Sequence, residues 1–273
     1  MRHITAVVVV VIALLVTAAC GDSRSGTTTT STSDTASQTG SENTSDTAAA
    51  STTSTEGETA SEPGVDPTPL RLSDIAMAEV SRVTVSSWAD LPVAWEREPI
   101  VSFDRPEGTT HYYEVVYLPD GGVTWIAAAA LAEEAGGYLA SATSAEESEF
   151  LLGLISDEKF WYQWDETHNY VMNGPFLGGF QADGSAEPDG GWMWLSGETW
   201  SYTNWAYDGM EGDEDPRPND QPNDSTGNQA VICFGEVNQP VDTWGDFPAR
   251  FGDSAGGEGA LVYGFIIEYN IQP

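Results

Sequence analysis

The stretch from Gly21 to Glu62 most restricts what this chain can fold into. Of its 42 residues, 23 are Ser or Thr, and it holds no aromatic residue and no Ile, Leu, Met or Val. Such a segment cannot bury enough apolar surface to offset its ordering entropy. Residues 20–62 therefore read as a disordered tether, with a root-mean-square reach of about 35–40 Å as a flexible coil. Any packed core has to come from the residues after Glu62.

Ahead of the tract, Met1-Arg2 leads an apolar run from Ile4 to Val16, then Thr17-Ala18-Ala19-Cys20. The run is too short for an ordinary membrane-spanning helix, and small residues before a cysteine mark a cleavage site. Residues 1–19 resemble a bacterial lipoprotein signal peptide. That resemblance implies that Cys20 becomes the lipidated first residue of the mature chain. It also implies an extracytoplasmic protein anchored to a bacterial membrane, at the cell surface or in the periplasm. Plain secretion with an unmodified cysteine is the alternative.

The formal charge of -34 comes from 43 acids against nine Lys and Arg, and Lys159 is the sole lysine. A surface this acidic repels nucleic acid and anionic lipid, so membrane contact is expected through Cys20 alone. With Cys20 lipidated, Cys233 has no partner for an intrachain disulfide. Its setting, AVICF, reads as that of a small buried hydrophobe.

Residues 63–106 form a transition segment. LRLSDIAMAEVSRVTVSSW (Leu70 to Trp88) has enough apolar residues to be ordered, either as an added strand and helix packed on the main domain or as a small stalk. From residue 107 to 273 the pattern is sharper. HYYEVVYLP reads as a strand, and TWIAAAALAEEAGG as a helix with a glycine cap. Ser144 and Glu147 stand at capping-box spacing ahead of a second helix, 144–155. Short strands and long loops come next, down to GFIIEY, which is expected to pair with the first strand and close the domain. A strand, two helices and then a loop-rich β region make an α+β layout.

The order GGYLA, TSAEE, FLGGF, GWMWLSGETWSYTNW, QPND, WGD and YGFIIEY resembles a C-type lectin-like domain across residues 108–271. The resemblance implies two helices beside small antiparallel sheets, topped by a long loop region that binds calcium and ligand. The family's disulfides do not carry over: Val231 and its hydrophobic neighbours stand where a paired cysteine would be. Trp125, Trp192, Trp194, Trp205 and Trp244 fall within strand or helix pattern and are expected to pack rather than stack on sugar.

In the family, a sugar-binding calcium is held by amide and acid side chains of a Glu-Pro-Asn or Gln-Pro-Asp turn, a later Glu, and a Trp-Asn-Asp motif. The same groups hydrogen-bond two sugar hydroxyls. Carried over, this makes Gln221, Asn223 and Asp246 calcium ligands, and Gln221, Asn223, Gln229 and Asp246 the ligand-binding set. Gln229 offers a neutral carbonyl where the family has a carboxylate, and Gly245 offers no side chain. Charge count sets calcium affinity in such sites, so weak binding, millimolar or weaker, is expected. A second calcium site would draw on Asp189 and Asp224, with Gln229 and Ala230 replacing two acids. The repeat Pro218-Asn219-Asp220, Pro222-Asn223-Asp224 leaves the register open, since Asn219 and Asp220 can take the later pair's place. Acids from Asp208 to Asp220 can restore the lost charge or form a solvated loop.

These features favour a surface-anchored carbohydrate-binding module with weak or altered calcium dependence, its partner a glycan. The alternative is a calcium-independent lectin-like domain that binds a cell-surface protein. An enzyme is not expected. The only histidines are His3, His111 and His168, with no Ser-His-Asp or Cys-His spacing, and Glu133 and Glu134 read as a solvated helix face.

Overall fold

The structure, a computed structural model, describes residues 66–78, 80, 85–164, 171–186, 190–206, 222, 230–249 and 262–273. All lie within one compact unit, Glu58–Pro273. The candidate lipidation residue Cys20 lies outside the described residues.

The first long strand is β3 (Thr110–Tyr117), preceded by β1 (Glu96–Arg97) and β2 (Val101–Asp104) on its outer edge. Helix α1 (Trp125–Glu134) starts at Thr124, whose hydroxyl accepts the Ala127 N–H at 3.2 Å. It ends where Gly136 turns left-handed at φ +87°. There the N–H groups of Gly137 and Gly136 donate back to Ala132 and Glu133, both at 3.0 Å. These two bonds close the helix in a Schellman motif, as the glycine pair foretells. Strand β4 (Tyr138–Leu139) follows, then α2 (Ala145–Leu154). Ser144 caps α2 by accepting the Glu147 N–H at 3.1 Å. The return half of the expected capping box is not made: Glu147 turns instead to Thr143, whose N–H and hydroxyl both donate to it at 2.8 Å.

Strands β5 (Tyr162–Gln163), β6 (Met172–Gln181), β7 (Trp192–Trp194), β8 (Ala230–Val237), β9 (Trp244–Pro248) and β10 (Gly264–Tyr269) complete the described elements. Where the sequence indicates small antiparallel sheets, one ten-stranded sheet is found, with backbone order β1-β3-β10-β6-β8-β9. β10 does pair antiparallel with β3, from Gly264 opposite Tyr117 to Tyr269 opposite Tyr112. Its other edge meets β6 in the sheet's parallel pairing, at Phe265 and Phe176. A strand inserted between two neighbours that run in opposite senses has to be parallel to one of them.

Both faces of this sheet are covered, which is why all six residues of β10 are buried. Phe265 and Ile267 join the core on one face with α1, while Ile266 joins the core on the other with Leu151 of α2. The alanines of α1 let it sink until Trp125 to Ala132 are all buried. Cys233 is buried in the α1-side core, as expected of a small hydrophobe in AVICF.

The segment ahead of β1 is neither stalk nor α-helix among its described residues. It makes 3-10 turns, at Leu72–Asp74 and Trp88–Asp90 among others, and lays Leu72, Met77 and Trp88 against the α1-side core. Glu133 and Glu134 fasten it. Leu72 N–H donates to Glu133 at 2.5 Å, and Trp88 N–H and the Ser87 hydroxyl donate to Glu134 at 2.6 and 3.0 Å. The two acids are thus anchors rather than a merely solvated helix face.

Candidate functional site

The Trp-rich run builds a floor at one end of the sheet. Trp194 and Trp244 are fully buried and meet edge-on, with centroids 5.4 Å apart. Trp200 lies 4.5 Å from Trp194, and Trp205 lies 4.8 Å from Trp192 and 5.7 Å from Trp244. Tyr202 adds a further edge contact with Trp244 at 5.6 Å. Trp125, Trp192, Trp194 and Trp244 therefore pack as expected, and Trp205 packs while half-buried.

The residues that flank 207–229 are both fixed to β9. On one side, Trp205 bridges to Trp244: Trp244 N–H donates to Asn204 O, and Ala206 N–H donates to Trp244 O, both at 2.8 Å. The Asn204 amide adds a bond to Asp242 O at 2.9 Å. On the other side, Ala230 pairs with Pro248. Asp246 stands between these two roots, opposite Ile232, and is only 4% exposed. Gly245, opposite Cys233, contributes backbone alone.

Of the predicted ligands, Asp246 is the one the structure describes. Gln221, Asn223, Asp224, Gln229 and Asp189 lie outside the described residues, and between Gln221 and Gln229 only Pro222 is described, as buried. Asp246 thus lies between the described residues that flank 207–229, the segment whose sequence carries Gln221, Asn223, Asp224 and Gln229. Among the described residues, no group of three or more His, Cys, Asp or Glu is arranged to hold a metal.

A second polar centre is absent from the sequence-based expectations. Arg105, at the turn after β2, is 4% exposed and donates to Glu147 at 2.6 Å, to Glu268 at 2.8 Å and to Glu198. Tyr113 donates its hydroxyl to Glu147 at 2.5 Å, and Ser141 N–H donates to Glu268 at 2.8 Å. His111, fully buried, sets Nδ1 2.5 Å from Glu268 and Nε2 3.0 Å from Asp66. Burial opposes charge on the Arg105 guanidinium, but Glu268 and Glu147 more than offset it and hold its pKa above the usual value. Burial also lifts the Tyr113 and Tyr138 hydroxyls well above theirs. Glu198 is raised by burial and by the charge of Glu268, against the pull of Arg105. The available signal was a pair of acids inside apolar strand runs, Glu114 in HYYEVVY and Glu268 in GFIIEY. A buried acid needs a partner, and the chain has few cations to give. Glu114 has its own, Arg97, whose Nε donates to it at 2.6 Å.

No protein-family model matches the chain, and no curated protein does either. Solved structures do match it, and they are C-type lectin-like domains. The carbohydrate-recognition domain of cow CD23, solved with a GlcNAc2Man3 oligosaccharide, is 19% identical, with 60% of this chain and 90% of that chain covered and a TM-score of 0.34. CEL-IV is 16% identical at a TM-score of 0.40, over 63% of this chain and 92% of its own. A calcium-independent type II antifreeze protein gives 16% identity and a TM-score of 0.37, over 63% and 96%. The fold is α+β, two helices against a mixed sheet, in agreement with the class read from the sequence.

Proposed function

We propose that this chain is a surface-anchored binding module that recognises a carbohydrate through the excursion 207–229, with weak calcium dependence. Asp246 carries the reading. It is held between the residues that flank that segment, which are clamped to β9 at Trp244 and at Pro248. A carboxylate fixed there, beside both flanks of a segment whose sequence is rich in Gln, Asn and Asp, supports a site that offers oxygen ligands to a calcium ion and vicinal sugar hydroxyls. Gln221, Asn223 and Asp246 would supply the main ion's side-chain oxygens, and Asp189 and Asp224 those of a second. Because fold alone does not fix function, the reading rests on these residues. Lipidated Cys20 would hold the domain at a membrane, with a glycan as its partner.

The test is calorimetric titration of calcium into the chelator-stripped protein, alongside Asn223→Ala and Asp246→Ala. Weak binding, in the millimolar range of extracellular modules, that both substitutions reduce is the expected result. Binding that survives both would move the ion to the acidic insertion or to Asp189 and Asp224. No heat and no calcium-dependent thermal shift up to about 10 mM would end the calcium reading. The neutral Gln229 and the absent side chain at Gly245 favour the second reading, a calcium-independent domain that binds a cell-surface protein. Partner binding insensitive to chelator is its signature.

A further inference from the structure

His111 is the one histidine among the described residues; its Nδ1 hydrogen-bonds Glu268, while its Nε2 stands in ion-pair contact with Asp66, 3.0 Å away but not aligned as a hydrogen bond. A neutral imidazole has one N–H to give and one lone pair, so it cannot satisfy both. The groups of the Arg105 centre, which shares Glu268 with it, sharpen the point. Glu268 approaches from β10, Glu147 from α2 and Glu198 from the turn after β7. Arg105 comes from the β2–β3 turn, Tyr113 from β3 and Tyr138 from β4. Three carboxylates, with the exposed Glu107 a fourth at 3.8 Å from Arg105, against one guanidinium leave the centre short of positive charge, and an imidazolium makes up part of the deficit.

The two carboxylates are not equivalent. The Glu268 side chain is 0% exposed and cannot exchange His111 for water, whereas that of Asp66 is 21% exposed and can. Asp66 also begins a segment that passes over this centre. Leu70 N–H donates to Leu195 O at 2.7 Å, and the Thr68 carbonyl presses on Gly197 so closely that a Cβ there would meet it at 2.6 Å. Thr68, Pro69 and Leu70 form one wall of a cavity of about 370 Å³, faced by Gly136, Gly137 and Tyr138.

We propose that His111 is a pH-sensitive clasp: protonated, it ties Asp66 to Glu268 and holds the segment from Asp66 to Leu70 on the domain; neutral, it keeps Glu268 alone and releases that segment. Burial pulls the His111 pKa down, but the hydrogen bond and charge of Glu268, with help from Asp66 and against Arg105, raise it above 6.5 on balance. A raised histidine contributes stability that is complete below the ordinary value and is lost as pH rises through the folded one. The clasp is therefore closed in mild acid and opens above pH 6.5, in step with the folded value. Release stops at Leu70, whose bond to Leu195 does not involve His111, and it removes Thr68 and Pro69 from the cavity wall.

The experiment uses the full chain in detergent, with Cys20→Ser and a nitroxide on Thr68→Cys, an exposed position; buried Cys233 stays unlabelled. Electron paramagnetic resonance spectra are recorded from pH 5 to pH 9. The label is expected to be immobilised at pH 5 and to gain mobility with a midpoint above 6.5. His111→Gln and, separately, Asp66→Asn should leave it mobile at every pH. A label whose mobility does not change across the range would overturn the proposal, as would a transition that persists in either variant. Should His111→Gln fail to fold, Asp66→Asn alone decides, because it alters only a part-exposed carboxylate.

Discussion

Replacing Arg105 by methionine is expected to destabilise the domain severely. The guanidinium is 4% exposed and serves Glu147, Glu198 and Glu268, of which Glu147 and Glu268 are themselves at most 1% exposed. Methionine fills similar length but strands at least two carboxylates out of reach of water. Breaking a buried ion pair from one side costs about 3–5 kcal/mol, because an uncompensated charge is left behind. For a domain of this size about 1 kcal/mol moves Tm by about 2–4 °C, so a fall of about 6–20 °C is expected at pH 7. The assay is thermal unfolding followed by near-ultraviolet circular dichroism, which reports the tryptophan floor. One control separates charge from packing: adding Glu147→Gln to Arg105→Met should recover part of the loss. A fall of less than about 3 °C, or a double variant no more stable than Arg105→Met, would refute the reasoning.

Two further outcomes are expected. Gly178→Ala puts a Cβ 2.2 Å from the Leu139 carbonyl oxygen, where only backbone can yield, so a loss of at least about 1–3 kcal/mol should appear in denaturant unfolding. In a bacterial host, intact-mass analysis should find the mature chain starting at a diacylglyceryl-modified Cys20, with Cys20→Ser abolishing both the added mass and membrane retention; an unmodified mature terminus would support plain secretion instead.

What the sequence discloses and what it hides divide by range. Helix α1 is legible because its cap, alanines and glycine stop are all local, and β10 because GFIIEY is an unbroken apolar run with one acid. The pairing of β10 with β3 follows once both strands are recognised. The stretch before β3 resists because it makes only 3-10 turns and two short strands, too brief to leave a periodic pattern. The Arg105 centre is invisible locally, since its partners lie 42, 93 and 163 residues along the chain. Glu147 shows how a local rule can be half right: its N–H meets the Ser144 cap, while its side chain answers to Thr143, Arg105 and Tyr113. Asp246 is legible by motif, and its place between the flanks of 207–229 depends on backbone pairings that no motif states.

The position of β10 has a consequence for how the chain reaches this state. β10 is the last strand in the described sequence, yet it lies in the middle of the sheet, between β3 and β6. Until it arrives, β1, β2 and β3 form one ribbon, β5 to β9 another, and they share no strand border. Each ribbon bares an edge and an apolar face, and closing them means joining segments about 150 residues apart, as from Tyr113 to Glu268. Contacts of such separation make folding slow and leave strand edges open to the wrong neighbours meanwhile. The final strand acts as a keystone: losing its six residues would split the sheet down its centre, whereas losing β1 would only trim its rim.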